Sequence, residues 1–476
     1  MRPARLVRLA ATLGLLPGLL CAPPAGAAVP ADEAEFRALY RELVEINTTL
    51  SVGSCTEAAE AMRARLLAAG LPAADTEIVV PPGLPKDGAL LAVLRGREPS
   101  LKPVLLLAHI DVVEARRDEW QRDPFKLVEE DGWFYGRGVS DDKAMAAIFT
   151  DTLIRLRHEG YRPRRDLKLA LTCREETPGD GNTVKWLTET RPAALAASFA
   201  LNEGAGGELD AAGRPVALQI QAGEKVYQDF EVEATDVGGH SSRPNRNNPI
   251  VRLSAGLARL GAHQFPVALN PATRGYFEYQ AKLVGGDTAN DIRAILRDSS
   301  DEAAAARLWT ASAAWHGMLR TTCTVTMING GHAPNALPQR VRANVNCRIL
   351  PGVAIAEVQA EIVRALADDT LAVRTTGDPG LQSPPPPLTE RIVGPVKAVA
   401  ATIWPGVPLV PTMTPGATDG RFLNAAGVPT YGLSGLFHDA EGSHAHGLNE
   451  RLRVRSLLDG RRFLYEVVRR FGELAD

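Results

Sequence analysis

Short apolar runs alternate with segments of helical periodicity along the first half of the chain. The run at 104–108 is apolar at every position, which is typical of a strand buried on both faces of a sheet. Apolar residues at helical spacing follow at 144–158. Strands are also predicted at 76–80, 89–94, 167–172, 198–202, 409–412 and 430–433, and helices at 33–44, 57–69, 182–189, 390–404 and 454–471. This alternation predicts an α/β fold with a largely parallel sheet covered by helices on both faces.

The hydrophobic pattern changes near residue 225. Residues 226–234 alternate polar and apolar side chains, as in an antiparallel strand with one face in solvent. The elements that follow have the order β-α-β-β-α-β, which predicts a ferredoxin-like α+β unit inserted into the α/β domain. Within this unit the segment 264–319 is rich in alanine and aromatic residues and predicts additional helices. The stretch 377–388 has the composition of a rigid linker, and the α/β pattern resumes after it.

These features divide the chain into a leader and two domains. We expect a signal peptide at 1–27, a catalytic domain formed by 28–224 and 379–476, and an inserted domain at 225–378. The leader combines an arginine-rich start, a short apolar region at 9–22 and a cleavage site of small residues. Because the apolar region is too short for a stable membrane span, export to the periplasm or the medium is favoured over retention as an anchor.

Composition narrows the class of protein. The chain has 476 residues, of which 45% are hydrophobic and 23% charged, as in soluble globular proteins with more than one domain. The formal net charge of -3 and the absence of a basic block argue against nucleic acid as a partner. The cysteines show no CxxC spacing, so a thiolate zinc site is not expected. Cys323 and Cys347 lie in consecutive predicted strands, where they could form a disulfide or remain buried free thiols.

Metal-binding side chains follow three of the predicted strands, and an acidic pair precedes a predicted helix. In chain order these are His109 and Asp111, Asp141 and Asp142, Glu175 and Glu176, and Glu203. Three histidines also lie close together late in the chain, within FHDAEGSHAHGLNE. Taken alone, the adjacent glutamates would fit a solvated loop equally well. However, the carboxyl ends of parallel strands meet at one edge of a sheet, so we expect a site of mixed imidazole and carboxylate ligands there.

Nine short motifs make this expectation specific. In chain order they are AHIDVV, DPF, GRGVSDDK, REETPG, NEG, GGHSSRP, GGHAPNALP, GATDGRF and AHGLNE. Together they resemble the dinuclear zinc exopeptidase family that includes carboxypeptidase G, the Gly-X carboxypeptidases (carboxypeptidase S type), the aminoacylases, acetylornithine deacetylase and succinyl-diaminopimelate desuccinylase. The resemblance implies a three-layer α/β catalytic domain and an inserted ferredoxin-like lid, through which two copies of the chain form a homodimer.

The resemblance also implies two zinc ions per chain. One would be held by His109, Asp141 and Glu203, and the other by Glu176, His446 and the same Asp141. Mixed imidazole and carboxylate ligands suit zinc, and a shared carboxylate fits two ions about 3.5–4 Å apart. Asp111 would orient the ring of His109 through its second nitrogen. In the family the peptide bond between Asp141 and Asp142 is commonly cis.

Two catalytic roles follow from the same resemblance. Glu175 resembles the general base, which takes a proton from a water lying between the zinc ions and returns it to the leaving amine. His240, in the inserted domain, resembles the histidine that stabilises the oxyanion. In the family this histidine often reaches the site of the partner subunit.

Three further residues are expected to bind substrate. Asn335 and Arg348 resemble residues that hold the carboxylate of the substrate or the oxyanion. Arginine suits this role because its planar guanidinium can bind a carboxylate with two hydrogen bonds. Arg421 is another candidate, with a structural pairing to Asp419 as the alternative.

These observations favour an exported dinuclear zinc metallopeptidase that hydrolyses amide bonds next to a free carboxylate, as a carboxypeptidase or dipeptidase does. The alternative is an N-acyl-amino-acid hydrolase of the aminoacylase or deacetylase type, since it cleaves a similar bond. A binding or dimerisation module that has lost its metals is disfavoured, because every expected ligand and Glu175 are present. The expected substrate is therefore a small peptide or an N-acyl amino acid.

Overall fold

The computed structural model describes residues 30–177, 181–377 and 380–475. The predicted signal peptide and the predicted boundary at 378/379 lie outside these ranges. The helices are α1 (Ala31–Glu45), α2 (Cys55–Ala68), α3 (Lys143–His158), α4 (Thr183–Thr190), α5 (Pro192–Leu195), α6 (Pro249–Ala262), α7 (Pro271–Leu283), α8 (Gly286–Arg297), α9 (Glu302–Ala311), α10 (Ala313–Leu319), α11 (Ile355–Leu366), α12 (Glu390–Ile403), α13 (Gly420–Ala425) and α14 (Val454–Gly472). Within the described ranges no helix is both long enough and apolar enough to cross a bilayer.

The strands form one large sheet and three smaller ones. They are β1 (Thr76–Val79), β2 (Ala89–Leu94), β3 (Val104–His109), β4 (Val128–Glu130), β5 (Trp133–Tyr135), β6 (Leu167–Thr172), β7 (Phe199–Asn202), β8 (Gly207–Leu209), β9 (Pro215–Glu224), β10 (Val226–Thr235), β11 (Gly239–His240), β12 (Thr322–Gly330), β13 (Ala336–Leu337), β14 (Arg340–Ile349), β15 (Ala372–Thr376), β16 (Leu409–Thr414), β17 (Thr430–Gly432), β18 (Phe437–His438) and β19 (Arg451–Arg453). The large sheet has the order β1-β2-β6-β3-β7-β17-β9-β8-β18, and β16 pairs with β9.

The large sheet is mixed. Strands β6, β3, β7 and β17 run parallel in its centre, and β16 with β9 and β18 with β8 are also parallel pairs. The pairs β1–β2, β2–β6, β17–β9 and β9–β8 are antiparallel. The prediction of a largely parallel sheet is therefore correct for the centre but not for these four pairs. The connections from β1 to β2 and from β8 to β9 are shorter than the dozen or so residues that a parallel crossover needs.

Strand β3 lies in the middle of this sheet and is buried at every position. Alternate side chains enter two separate cores, because successive residues of a strand point to opposite faces. Leu106 packs with α1, α3 and α14, while Leu105 packs with α4 and α13. Each fully buried leucine of this kind contributes roughly 1.5–3 kcal/mol to folding. The last residue of β3, His109, is consequently held at the edge of a sheet that is covered on both faces.

A second sheet has the order β12-β14-β10-β15, and all of its pairs are antiparallel. Helices α6 and α11 cover one face, where Leu253 and Ile362 join its core. The segment predicted to be helical at 264–319 contains α7, α8, α9 and α10, which pack around their own core that includes Phe277 and Leu308. Helix α7 also lies against β16, where Gly275 contacts Pro411.

Two disulfides cross-link the chain. One joins Cys323 to Cys347, so the alternative of two free thiols does not hold. The other joins Cys55, the first residue of α2, to Cys173, which follows β6. The second pair was not predicted because 118 residues separate its cysteines. It fixes the start of the loop that carries Glu175 and Glu176.

Candidate metal centre

Asp141 lies between two histidines that come from distant parts of the chain. Its Oδ1 atom is 3.1 Å from Nε2 of His109, and its Oδ2 atom is 3.2 Å from Nε2 of His446. Each carboxylate oxygen thus faces a different imidazole, as expected for a carboxylate shared by two cations. The peptide bond between Asp141 and Asp142 is cis, as the family resemblance implies.

Two more carboxylates complete the cluster, one beside each histidine. Glu203 follows β7, and its Oε1 atom is 3.8 Å from Nε2 of His109. Glu176 follows β6, and its carboxylate is 2.9 Å from Nε2 of His446. All five predicted ligands therefore converge on one place. Tetrahedral zinc with bonds of ~2.0–2.1 Å separates its ligand atoms by roughly 3.3 Å, so this donor set fits the metal.

Asp111 lies against the second ring nitrogen of His109, as the resemblance implies, but its closest contact is made by the backbone. Nδ1 of His109 lies 3.0 Å from the backbone oxygen of Asp111 and 3.6 Å from its carboxylate. The longer distance exceeds a normal hydrogen bond. The Asp111 carboxylate instead accepts hydrogen bonds from the backbone N–H groups of Glu175 (3.2 Å) and Glu176 (3.0 Å). Asp111 thereby holds both the histidine ring and the glutamate loop.

The electrostatics of the centre favour a divalent cation. Burial raises the pKa of Glu203 and of Glu175 well above their usual range, although His109 opposes both shifts. Burial also disfavours ionised Asp141, but hydrogen bonds from the two histidines outweigh it and lower the pKa of Asp141. Hydrogen bonds to Asp141 and Glu176 raise the pKa of His446 to about 10. Because the carboxylates in this cluster outnumber the positively charged side chains, divalent cations bound among them would be strongly stabilised.

Glu175 projects into the same cluster. Its carboxylate has an oxygen within 4.8 Å of ligand atoms of His109 and Glu203. By geometry alone Glu175 could serve as a ligand or as a neighbouring acid. Its position on the loop directly before Glu176 places one glutamate beside each half of the centre.

His240 and Asn335 lie together on the surface. Both are exposed; His240 ends β11, which pairs with β13, and Asn335 directly precedes β13. The backbone N–H of Ser241 donates to the backbone oxygen of Asn335. In the described ranges no hydrogen bond or ion pair connects either residue to the predicted ligands.

Arg348 and Arg421 share one electrostatic neighbourhood. The guanidinium of Arg348 lies 4.7 Å above the ring of Tyr227. Burial lowers the pKa of Arg348, and the nearby positive charge of Arg421 lowers it further. Across the described parts of the chain neither arginine forms an ion pair with an acid. The charge of each guanidinium is thus felt by the other, and neither is neutralised by a paired acid among the described residues.

Asp419 is not the ion-pair partner of Arg421. The buried Asp419 carboxylate instead accepts hydrogen bonds from the hydroxyl of Thr172 (3.2 Å) and the side-chain amide of Asn182 (2.6 Å). These bonds tie the start of α13 to the end of β6. The charge of Arg421 still opposes the rise in the pKa of Asp419 that burial causes, so the structural alternative for Arg421 stays open.

Sequence reasoning assigned no role to two charged residues next to the ligands. Arg137 and Glu450 form a buried ion pair of 2.8 Å, and the same Glu450 carboxylate accepts a hydrogen bond from the backbone N–H of Asp141. Glu450 closes the AHGLNE motif, and Arg137 lies in GRGVSDDK. The presence of both residues in motifs was the one available signal, and it did not indicate that they meet.

Comparison with known proteins agrees with this geometry. The model of peptidase family M20/M25/M40 matches residues 105–470. The N-fatty-acyl-amino acid synthase/hydrolase PM20D1 of Mus musculus is 29% identical over 389 residues, which cover 79% of this chain and 76% of that protein. A probable carboxypeptidase S-like 2 of Dictyostelium discoideum is 25% identical over 79% of this chain and 73% of its own length. Aminoacylase-1 of Mus musculus is 24% identical over 90% of this chain and 94% of its own length.

Solved structures share the fold. The M20 family metallo-carboxypeptidase Sso-CP2 from Sulfolobus solfataricus has a TM-score of 0.66 at 19% identity and covers 92% of this chain and 99% of its own. The YXEP protein of Bacillus subtilis, a dinuclear metal-binding peptidase from the M20 family, has a TM-score of 0.57 at 14% identity, with 92% and 98% covered. Because the family model spans most of the chain, this protein belongs to peptidase family M20/M25/M40 and is a metal-dependent hydrolase.

Proposed function

We propose that the protein hydrolyses an amide bond next to a free carboxylate, using two zinc ions and Glu175 as the general base. The observation that carries this proposal is the position of Asp141, whose two carboxylate oxygens face two different histidines. Two divalent cations held there would polarise the amide carbonyl and acidify the attacking water. Small peptides are the first substrate class, and the protein would then act as a carboxypeptidase or dipeptidase.

Glu175 is suited to move the proton in this reaction. Burial raises the pKa of its carboxyl group, so the group can take a proton from water and keep it long enough to pass it on. The hydrogen bond from its backbone to Asp111 holds the loop in place during both transfers. The amine that leaves would receive this proton, because an amide nitrogen is a poor leaving group until it is protonated.

Arg348 and Arg421 are proposed to bind the carboxylate of the substrate. Their guanidinium groups lie close enough to lower the pKa of Arg348, and an anion between them would relieve that repulsion. The ring of Tyr227 supports the guanidinium of Arg348 from below. A substrate that lacks the carboxylate should therefore bind weakly.

N-acyl amino acids are the second substrate class. PM20D1 is named an N-fatty-acyl-amino acid synthase/hydrolase, and aminoacylase-1 also shows similarity over nearly the whole chain. An N-acyl amino acid has the same amide bond beside the same carboxylate as a dipeptide. The two classes differ in the group on the acyl side, which carries an amine in a peptide and is uncharged in an N-acyl amino acid.

A matched panel of substrates separates these two classes. Each amino acid is offered as the carboxyl-terminal half of a dipeptide, as its N-acetyl derivative and as its N-dodecanoyl derivative. The dipeptide amide, which lacks the free carboxylate, is the control. Faster turnover of dipeptides supports the first class, and faster turnover of either acyl series supports the second. Equal turnover of the dipeptide and its amide would contradict the role of the carboxylate.

We also propose a homodimer formed through the inserted domain. Strand β12 is an edge strand whose outer half is exposed, including Val325, Met327 and Ile328. Exposed edges of this kind readily pair with another strand. Pairing of two copies would also offer the exposed His240, which has no hydrogen bond or ion pair with the predicted ligands of its own chain within the described residues, to the site of the partner.

Mixing two inactive variants tests the dimer and His240 together. In a mixed dimer of Glu175→Ala and His240→Ala chains, one site combines an intact Glu175 with the intact partner histidine. After subunit exchange the mixture should regain roughly a quarter of wild-type activity, because half of the dimers are mixed and each has one complete site. No regain in a mixture shown by light scattering to be dimeric would contradict the contribution of His240 to the partner site.

We also propose, from the leader sequence at 1–27, that the protein is exported from the cytoplasm. The disulfides Cys55–Cys173 and Cys323–Cys347 support it, since such bonds persist in oxidising compartments. Fractionation of cells that produce the full chain should place the protein outside the cytoplasm with a new N-terminus near residue 28. Full-length protein in the cytoplasm would contradict this proposal.

A further inference from the structure

Glu450 is buried beside the metal centre but is not placed as a ligand. Its side chain is fully buried, and its two carboxylate oxygens accept two hydrogen bonds each. Oε2 receives Arg137 (2.8 Å) and the N–H of Gly138 (2.9 Å), while Oε1 receives the N–H groups of Ser140 (2.9 Å) and Asp141 (3.0 Å). With both oxygens fully used, this carboxylate has no capacity left for a cation.

All four donors lie in one loop, and Glu450 lies in another. The donor loop at 137–141 ends with Asp141, the predicted shared ligand. Glu450 lies four residues after His446, the ligand of one half of the centre. Two more bonds connect the same loops: Arg137 donates to the oxygen of Gly447 (3.0 Å), and the N–H of Gly136 donates to the backbone oxygen of Glu450 (3.2 Å).

The His446 loop needs support from outside itself. His444, His446 and Asn449 all have positive φ angles, of 57°, 62° and 54°. Residues with a side chain rarely adopt this left-handed conformation and keep it only where the surroundings enforce it. The side chain of His446 is 57% exposed, so packing contributes little to its position. Besides the contacts of the His446 ring with Asp141 and Glu176, the bonds to Glu450 and Arg137 fix this loop relative to the loop that carries Asp141.

We infer that Glu450, together with Arg137, is a positioning residue that sets the distance between Asp141 and His446 and so maintains the exposed half of the metal centre. This inference rests on the proposed dinuclear centre. It predicts a specific consequence for metal binding: without Glu450 the loop that carries His446 loses its bonds to the loop at 137–141, whereas His109 and Glu203 stay at the ends of β3 and β7. Residues that support metal ligands in this way typically change metal affinity by about 10- to 100-fold.

The test compares two buried ion pairs of the same domain. Glu450→Gln keeps the shape of the side chain but turns an N–H₂ group toward backbone donors, which breaks at least one of the four bonds. The control is Asp151→Asn, since Asp151 forms a buried pair with Arg461 (2.7 Å) that joins α3 to α14. The zinc affinity of both sites is measured for the complete chain without the predicted signal peptide, by competition with a chromophoric chelator. The melting temperature of each metal-free variant is measured alongside.

The expected result is a selective loss. Glu450→Gln should bind the zinc of the exposed half, which has the lower affinity of the two, at least 10-fold less tightly than wild type. The affinity for the zinc of the His109 half should stay within about threefold of the wild-type value. Asp151→Asn should lower the melting temperature while both affinities stay at wild-type values. Arg137→Lys preserves the charge opposite Glu450 but cannot also reach the oxygen of Gly447, so it should show a smaller loss of the same kind. If Glu450→Gln is not recovered folded, Arg137→Lys provides the test.

Three outcomes would overturn the inference. Wild-type zinc affinities in folded Glu450→Gln would show that the loops keep their distance without it. An equal loss of zinc in Asp151→Asn would show that general destabilisation is the cause. If neither Glu450→Gln nor Arg137→Lys folds, the ion pair of Arg137 with Glu450 is needed for folding and has no separate role in positioning the metal ligands. If wild type itself binds fewer than two zinc ions, the proposed dinuclear centre fails instead, so the two failures are distinguishable.

Discussion

The two halves of the metal centre are built from different parts of the fold. His109 and Glu203 are delivered by the ends of adjacent parallel strands, β3 and β7, and the side chain of His109 is 1% exposed. His446 lies on a loop between β18 and β19, and its side chain is 57% exposed. One half is therefore fixed by the packing of the central sheet, whereas the other depends on hydrogen bonds between loops.

This difference should appear as a difference in metal affinity. A ligand that is rigid before the metal arrives loses little conformational freedom on binding, so the sheet-borne half should bind more tightly. The loop-borne half is open to solvent and can exchange its ion. Asp141 belongs to both halves, since each of its oxygens faces one histidine. Substitution of Asp141 should therefore affect both halves, whereas substitution of a residue that belongs to one half should affect that half alone.

Replacement of Asp141 should have the largest effect. In Asp141→Ala both halves lose a ligand, so we expect both zinc ions to be lost at concentrations that saturate wild type, together with all measurable hydrolysis. Metal analysis after equilibrium dialysis checks this result. One tightly bound zinc in Asp141→Ala would show that the halves are independent, which contradicts a shared carboxylate.

Replacement of Glu175 should separate chemistry from metal binding. Glu175→Ala should lower the turnover number by about 100- to 10,000-fold, because it removes the proposed proton acceptor. Most of the zinc should remain, since the five predicted ligands are intact. Turnover and zinc content are measured on the same preparation. Turnover close to that of wild type would reject Glu175 as the base, and loss of one zinc would identify it as a ligand.

The two histidines should differ in their effect on stability. In chelator-treated protein His109→Ala should reduce the free energy of unfolding by about 1–3 kcal/mol, because it creates a space in a buried site. His446→Ala should reduce it by less than His109→Ala does, since the side chain of His446 is mostly in solvent and its ion pairs with Asp141 and Glu176 are partly screened. Denaturant unfolding measures both values. With zinc added, His446→Ala should retain one ion, and equal stability losses would contradict the distinction between the halves.

The sheet-borne half is the one that sequence reasoning predicts well. The uniformly apolar run at 104–108 indicates a central strand, and His109 directly follows it at an edge where parallel strands deliver side chains. Local patterns are sufficient here because strand, strand end and ligand are neighbours in sequence. Strand β9 was missed, and with it the antiparallel pairs β17–β9 and β9–β8. The antiparallel pairing of β2 with β1 and β6 was missed although these strands were predicted, because the fold and not the local pattern decides which strands pair.

The contacts that hold the loop-borne half could not be predicted from the sequence. The motifs contain His446 and Glu450, but nothing in AHGLNE indicates that Glu450 would bind four groups of the loop at 137–141. Likewise, the role of Asp111 depends on which of its oxygens faces His109, and that is decided by three-dimensional geometry. Contacts between residues hundreds of positions apart require the structure.

The most direct test of two unequal halves is a zinc titration of the wild-type chain. Metal-free protein is titrated in zinc buffers, and bound zinc is measured at each free concentration. The structure predicts two ions per chain, with the second bound at least about 10-fold more weakly than the first. Saturation at one ion, or two ions of equal affinity, would contradict the account of a rigid half and a loop-borne half sharing Asp141.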